Sequence, residues 1–349
     1  MVTSCAAAIP VDVHAESGGS PRRLLQVVAA LGLALTVLAG SGLRAEVLAG
    51  LRRSTAVHPR VPGASADESS IGTTPSVSPT TPSPTPAAAL PVIGTAAPRS
   101  FEPLAAQIAS LQSAAGARFS VSLIELAGAN PQDWSLQGDG SFVAASTYKL
   151  PLLMAEAELI TSGQAQPTDQ ICYVPGDWED GWFQDYDAGI CYSRAELANR
   201  IAQQSDNTAA HMLVRSLGGA AVLNGYAATR GAKESAFFDP NMTTASDLAR
   251  LMAAEATGEA GGASAQQWLY PLLTHTAFEQ GIPAGVPVNA TVVHKTGELD
   301  SVTNDVALVL GGANGPYVVA ICVDGPGNDA GFSVIAQVAG LVWQMEASR

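Results

Sequence analysis

Apolar residues fall along this chain in three regimes. The first is a run from Leu24 to Leu43, about 20 residues with Gln26 as its only strongly polar member, preceded by Pro21-Arg22-Arg23. Such a run is long enough to cross a bilayer as a helix, and the Arg pair is the positive flank of an export signal. Leu43-Arg44-Ala45 is a weak cleavage signal, so residues 24–43 read either as a signal peptide or as an uncleaved anchor, with 1–23 as the short preceding segment. Leu38-Ala39-Gly40 is followed by Ser41 rather than Cys, which removes the thiol a lipoprotein anchor needs. The folded part is expected outside the cytoplasm, tethered by 24–43 or secreted after cleavage.

The second regime, 44–100, has no periodicity to bury. From Ser54 it is rich in Pro, Thr, Ser and Ala, as in Thr74-Pro75-Ser76-Val77-Ser78-Pro79, and reads as a disordered linker stiffened toward polyproline II. The third regime, 101–349, alternates helical and strand patterns. Phe119 to Ile124 reads as a first strand, and Gly140-Ser141-Phe142-Val143 leads out of a second into a helix. Three Val-rich strands follow at Thr291–Thr296, Asp305–Leu310 and Tyr317–Asp324, the last two as a hairpin. The stretch from Pro151 to Gly258 is mostly helical, and a closing helix over Phe332–Met345 presents Val334, Val338, Leu341 and Val342 to the sheet.

Composition narrows the chemistry. Of 349 residues, 47% are hydrophobic and 14% charged, with a net charge of -14; Lys and Arg patches for phosphate are missing, which argues against nucleic acid as a partner. Four cysteines include no zinc-type spacing, so no metal is expected, and no cofactor is implied where Lys149 and Ser205 suffice for proton transfer. Cys172 and Cys191 bracket a segment rich in Trp, Asp and Gly, and read either as a disulfide staple or as two buried thiols; Cys5 and Cys322 have no evident partner.

Three short motifs carry reactive side chains. In Ser146-Thr147-Tyr148-Lys149, residues three apart share a helical face, so the Lys149 amine sits beside the Ser146 hydroxyl. A desolvated lysine can take the proton that makes serine a nucleophile. Ser205-Asp206-Asn207 follows, then Lys295-Thr296-Gly297 at a strand end, with a cation and a hydroxyl for an anionic substrate group and a glycine for close approach. Each motif is weak alone, and the ordered set is strong.

With these motifs, and with Leu217-Gly218-Gly219 and Thr303-Asn304-Asp305-Val306-Ala307 in matching places, residues 101–349 resemble the penicilloyl-serine transferase group, and within it the class A β-lactamases. The resemblance implies an α/β (α+β) fold of the β-lactamase/transpeptidase kind, with an antiparallel five-stranded sheet flanked by helices and an all-helical subdomain. It also implies that Ser146 is the nucleophile, Lys149 its base and Ser205 a proton relay to the leaving nitrogen. Asn207 would hold the substrate amide, Lys295, Thr296 and Gly297 its carboxylate side, and the backbone amides of Ser146 and Glu298 would form the oxyanion hole.

The pattern breaks between the second and third motifs. The family's loop with a glutamate and an asparagine for the deacylating water has no counterpart in the short stretch from Gly231 to Thr244, where no Glu-x-x-x-Asn occurs. Asp239 or Glu234 is the candidate substitute base. The 172–191 loop, with Trp178, Trp182, Phe183 and Tyr186 among carboxylates, reads either as a substrate-binding wall or as a self-packed lid; His211 and His294 read as packed, structural histidines. The function expected is an exported monomeric serine hydrolase acylated by a small-molecule β-lactam or a peptidoglycan peptide, with slow deacylation. The alternatives are a D-alanyl-D-alanine peptidase or penicillin-binding protein, an esterase, or a sensing module without turnover.

Overall fold

The computed structural model describes residues 99–348. The apolar run 24–43, Cys5 and all of the 44–100 linker except Arg99 and Ser100 lie outside them. Among the described residues, no helix is long and apolar enough to cross a membrane.

Helix α1 (Glu102–Ala115) has Pro103 in its first turn and ends on Gly116, whose φ of 59° is open to glycine at little cost. Strands β1 (Arg118–Glu125) and β2 (Asp133–Leu136) follow, then the short β3 (Phe142–Val143). A 3-10 turn (Ala145–Tyr148) runs straight into α2 (Lys149–Thr161). The central part contains β4 (Gln170–Cys172), β5 (Cys191–Ser193), α3 (Arg194–Gln204), α4 (Asn207–Leu217), α5 (Ala220–Thr229), β6 (Met242–Thr243), α6 (Ala245–Ala256), α7 (Gly262–Leu269) and α8 (Ile282–Gly285). The chain returns to the sheet with β7 (Thr291–Leu299), β8 (Val302–Leu310) and β9 (Tyr317–Asp324), and closes with α9 (Asn328–Ala347).

The main sheet has the order β2-β1-β9-β8-β7 and is antiparallel throughout. Both its faces are covered, so its inner strands are apolar on alternate sides. Val318, Ala320 and Cys322 of β9 join one core with the helices of the central part, while Val319, Ile321 and Val323 join the other with α1 and α9. In the first core Leu150, Leu153 and Met154 of α2 pack with Ile201, Met212, Leu248 and Leu251. Each such fully buried side chain contributes about 1.5–3 kcal/mol. The five-stranded antiparallel sheet with a helical subdomain is the architecture the sequence predicts.

Three boundaries differ from expectation. Phe142-Val143 leaves the main sheet and pairs with Met242-Thr243 in a ribbon of its own, because Gln137, at φ 52°, turns the chain away after β2. Strands β7 and β8 each extend into a tight hairpin, Thr291–Leu299 against Val302–Leu310, so Glu298 and Thr303 are paired residues rather than loop residues. The last helix begins at Asn328, and its buried stripe is Phe332, Ile335, Val338 and Val342, with Val334 and Leu341 only partly covered.

Candidate active site

The 3-10 turn brings Ser146 to the head of α2, and several groups hold its backbone there. Ala145 sits at φ 49°, a strained conformation for a residue with a Cβ. The Thr147 hydroxyl donates to Ala144 O (2.6 Å), Asn304 Nδ2 of β8 donates to Val143 O (2.9 Å) and Ala144 O (3.1 Å), and Asn241 Nδ2 donates to Ala145 O (3.2 Å). Strand β7 passes close by at Gly297: a Cβ there would lie 2.9 Å from Ser146 N and 2.7 Å from Ala144 O. Only glycine allows that approach.

A 3-10 turn stacks residues i and i+3 almost directly, and Lys149 Nζ donates to Ser146 Oγ at 2.9 Å. The amine also donates to Ser205 O (2.7 Å) and Asn207 Oδ1 (2.6 Å), with Ser205 Oγ farther off at 3.4 Å. Ser205 reaches it because α3 ends there, at φ 55°. From the opposite wall Lys295 Nζ donates to Ser205 Oγ at 3.0 Å. Both lysines are buried, at 0% and 2% exposure. Burial first, then the neighbouring Lys295, holds the Lys149 amine well below the ordinary lysine range; burial brings Lys295 down to about 7, against the opposing pull of Asp305. The cleft in front of these groups measures about 220 Å³ and is lined by Ser146, Ser205, Asn207, Thr296, Glu298 and Trp182 among others.

Cys172 and Cys191 form a disulfide that closes the loop between β4 and β5. Asp206, fully buried, seats this loop: its carboxylate caps α4 at Ala209 N (2.8 Å) and accepts from the Tyr186 hydroxyl (2.6 Å) and Phe183 N (3.0 Å). Asn207 Nδ2 donates to Asp180 O (2.7 Å), and Thr208 Oγ1 exchanges bonds with the backbone of Glu179 (2.8 and 3.1 Å). Trp182 stands 59% exposed at the rim, its ring edge-on to Phe278 at 6.3 Å.

A model of the β-lactamase enzyme family matches residues 103–345. The chain belongs to that family. Membership places it among serine hydrolases that act on β-lactam amide bonds. Among its relatives, the β-lactamase OXY-1 of Klebsiella oxytoca is 27% identical over 255 residues, covering 66% of this chain and 84% of the relative. The β-lactamase CTX-M-8 of Citrobacter amalonaticus is 28% identical over 244 residues, 61% and 78% of the two chains. Of solved structures, PBP-A superposes with a TM-score of 0.67 at 27% identity over 72% of this chain and 98% of its own. A variant of PBP-A in an acyl-enzyme complex with penicillin G gives 0.67 at 28% identity over the same shares. An ancestral class A β-lactamase gives 0.63 at 27% over 69% and 99%.

Of the residues predicted for this β-lactamase-family cleft, Ser146, Ser205, Asn207, Thr296, Gly297 and Glu298 line one pocket, and Lys149 and Lys295 bond to Ser205 behind it. Glu234 and Asp239 are not brought to it. Both are exposed, and the segment instead presents Phe238, which packs edge-on against Tyr148 at 5.6 Å. His294 is a buried core residue, as expected, bonded to Asp305 (3.1 Å) and Glu279 (3.2 Å). Although burial opposes its charge, Asp305 and then Glu279 raise its pKa to about 9. His211 does pack on a helix, yet its ring also sits 4.9 Å from Phe238 and its Nε2 lies 2.6 Å from Glu179. Asn241, which holds the backbone at Ala145, is a site residue that sequence reasoning did not single out, while Asp206 and Asn304 were quoted within motifs but given no role; they seat the 172–191 loop and the backbone before Ser146.

Proposed function

We propose that the protein is a serine hydrolase in which Ser146 is acylated by β-lactams or by the D-alanyl amides of peptidoglycan. The observation that supports this reading above others is the position of Lys149: its amine lies 2.9 Å from Ser146 Oγ, and burial holds it well below the ordinary lysine range. A neutral amine has two N–H donors and one lone pair. In that form Asn207 Oδ1 and Ser205 O take the two donors, and the lone pair accepts from the Ser146 hydroxyl in place of the bond the ammonium donates there.

On attack, the Ser146 Oγ–carbonyl carbon bond forms while Lys149 takes the hydroxyl proton. The backbone amides of Ser146 and Glu298 stabilise the oxyanion. As the carbon–nitrogen bond breaks, the proton passes through Ser205 Oγ to the leaving nitrogen. Lys295 and Thr296 receive the substrate carboxylate, with Gly297 giving it room, and Asn207 receives the amide carbonyl. The apolar run 24–43 behind its Arg pair supports a location outside the cytoplasm, where such substrates occur.

A second reading, a peptidase or penicillin-binding protein with a long-lived acyl-enzyme, is favoured by one feature: Glu234 and Asp239 lie outside the cleft. Intact-mass spectrometry of the full chain with penicillin G separates the two. A Ser146 adduct that forms and clears within minutes, with product accumulating, supports the β-lactamase reading; an adduct lasting hours supports the other. Absence of both adduct and product, or an adduct equally formed by Ser146→Ala, rejects acylation at Ser146.

A further inference from the structure

We infer that Glu179, held by His211, is the base that activates the water hydrolysing the Ser146 acyl-enzyme. The inference deepens the acylation reading above and rests on it. A deacylating base must lie beside Lys149 and Ser146, must be ionised, and must be reachable by water. Two carboxylates act electrostatically on Lys149, those of Glu179 and Asp206. Asp206 is fully buried, and its oxygens are committed to Ala209, Tyr186 and Phe183. Glu179 is half-exposed, and His211 Nε2 at 2.6 Å is its partner.

The backbone fixes where this carboxylate stands. Thr208 grips residue 179 from the first turn of α4, and Asn207 bonds both the next residue, through Asp180 O, and Lys149 Nζ. His211 lies four residues beyond Asn207, on the same face of α4. Its ring rests on Phe238, which rests on Tyr148, two residues after Ser146. The pair thus stands beside the turn that carries Ser146 and Lys149, where the short 231–244 segment supplies an aromatic ring and no carboxylate.

In the step itself, the Glu179 carboxylate takes a proton from water as the water oxygen bonds to the acyl carbon. The Ser146 Oγ–carbon bond then breaks, and the proton returns through Lys149 to Ser146 Oγ. The groups facing Glu179 are His211 from α4, Lys149 from α2 and Tyr148 from the 3-10 turn. The hydrogen bond from His211 outweighs partial burial and holds its carboxyl below the usual range, so it is ionised at neutral pH.

The test uses penicillin G on the full chain and follows adduct formation, adduct decay and released product for the wild type, Glu179→Gln, His211→Asn and Asp239→Asn. The expected result is similar acylation in all four. Adduct lifetime should lengthen about 100-fold in Glu179→Gln, less in His211→Asn, and not at all in Asp239→Asn. Wild-type decay should slow in acid as Glu179 protonates, and the Glu179→Gln decay should lose that dependence. Equal lifetimes in wild type and Glu179→Gln, or a prolonged adduct in Asp239→Asn alone, would overturn the assignment. A wild type giving neither adduct nor product would instead overturn acylation at Ser146, and the inference with it.

Discussion

Lys149, Ser205, Asn207 and Lys295 approach Ser146 from helix ends and the edge strand β7, and both lysines are sealed from solvent. Trp182 lines the same cleft from a loop, with Glu179 of that loop and Phe238 packed around His211 beside it, and Glu179 and Trp182 are half or more exposed. On regular elements, sequence spacing dictates spacing in space: three residues of a 3-10 turn put Lys149 over Ser146, and strand pairing sets Lys295 opposite Val306. On the loop side, position depends on what anchors the loop. The two sides therefore differ in how they fail when a residue is removed.

The largest effect is expected on the sealed side. Lys149→Ala removes the proposed base and leaves Ser146, Ser205 and Asn207 without their shared partner. Acylation by penicillin G should slow about 1,000-fold, as general-base losses do, in the rate of adduct formation by mass. A loss below tenfold would show that the buried amine is not the base and would break the distinction between the two sides.

Asp206→Ala tests how far the loop side hangs on one buried group. The change strands the Tyr186 hydroxyl and two backbone amides and removes the α4 cap, and should cost about 2–4 kcal/mol in urea unfolding. It should also slow acylation, since Asn207 follows directly. A cost under about 1 kcal/mol would mean that the disulfide and the Arg200–Asp185 pair (2.6 Å) seat the loop by themselves.

This division also explains what was legible in the sequence. Strands β1, β7, β8 and β9 were readable from their apolar patterns, the five-stranded sheet followed from the family resemblance, and the three motifs were readable because each lies within one turn or one strand end. The β3–β6 ribbon was not, since two residues paired with two residues leave no periodic trace. Glu179 was hidden for a related reason. In a loop of many carboxylates, only the contacts with Thr208 and His211 distinguish it from its neighbours, and those contacts span about 30 residues of sequence. Glu234 and Asp239 looked better placed because they lie in the segment where the family's base is expected.

Lys295 gives a smaller effect with a defined sign. Burial brings its pKa to about 7, so the ammonium that would receive a substrate carboxylate is present below pH 7 and lost as pH rises through it. The KM for penicillin G should rise about tenfold between pH 6 and 8, and Lys295→Arg should flatten that rise. A KM that falls with pH would exclude a charge-assisted role for this strand residue.

The smallest effect belongs to Trp182. Its ring is 59% exposed and touches the cleft through an edge contact with Phe278, so it adds to a wall without holding up the loop. An aromatic contact of that kind is worth about 0.5–1.5 kcal/mol. Trp182→Ala should raise the KM for penicillin G about three- to fivefold and leave the acylation rate at saturation unchanged. The same variant should leave 6-aminopenicillanic acid, which lacks the phenyl group, unaffected. If both substrates weaken equally, Trp182 is holding the loop in place rather than binding the acyl side chain. If the maximal rate falls too, the loop side reaches the Ser146 machinery itself, and the two sides of the cleft are coupled.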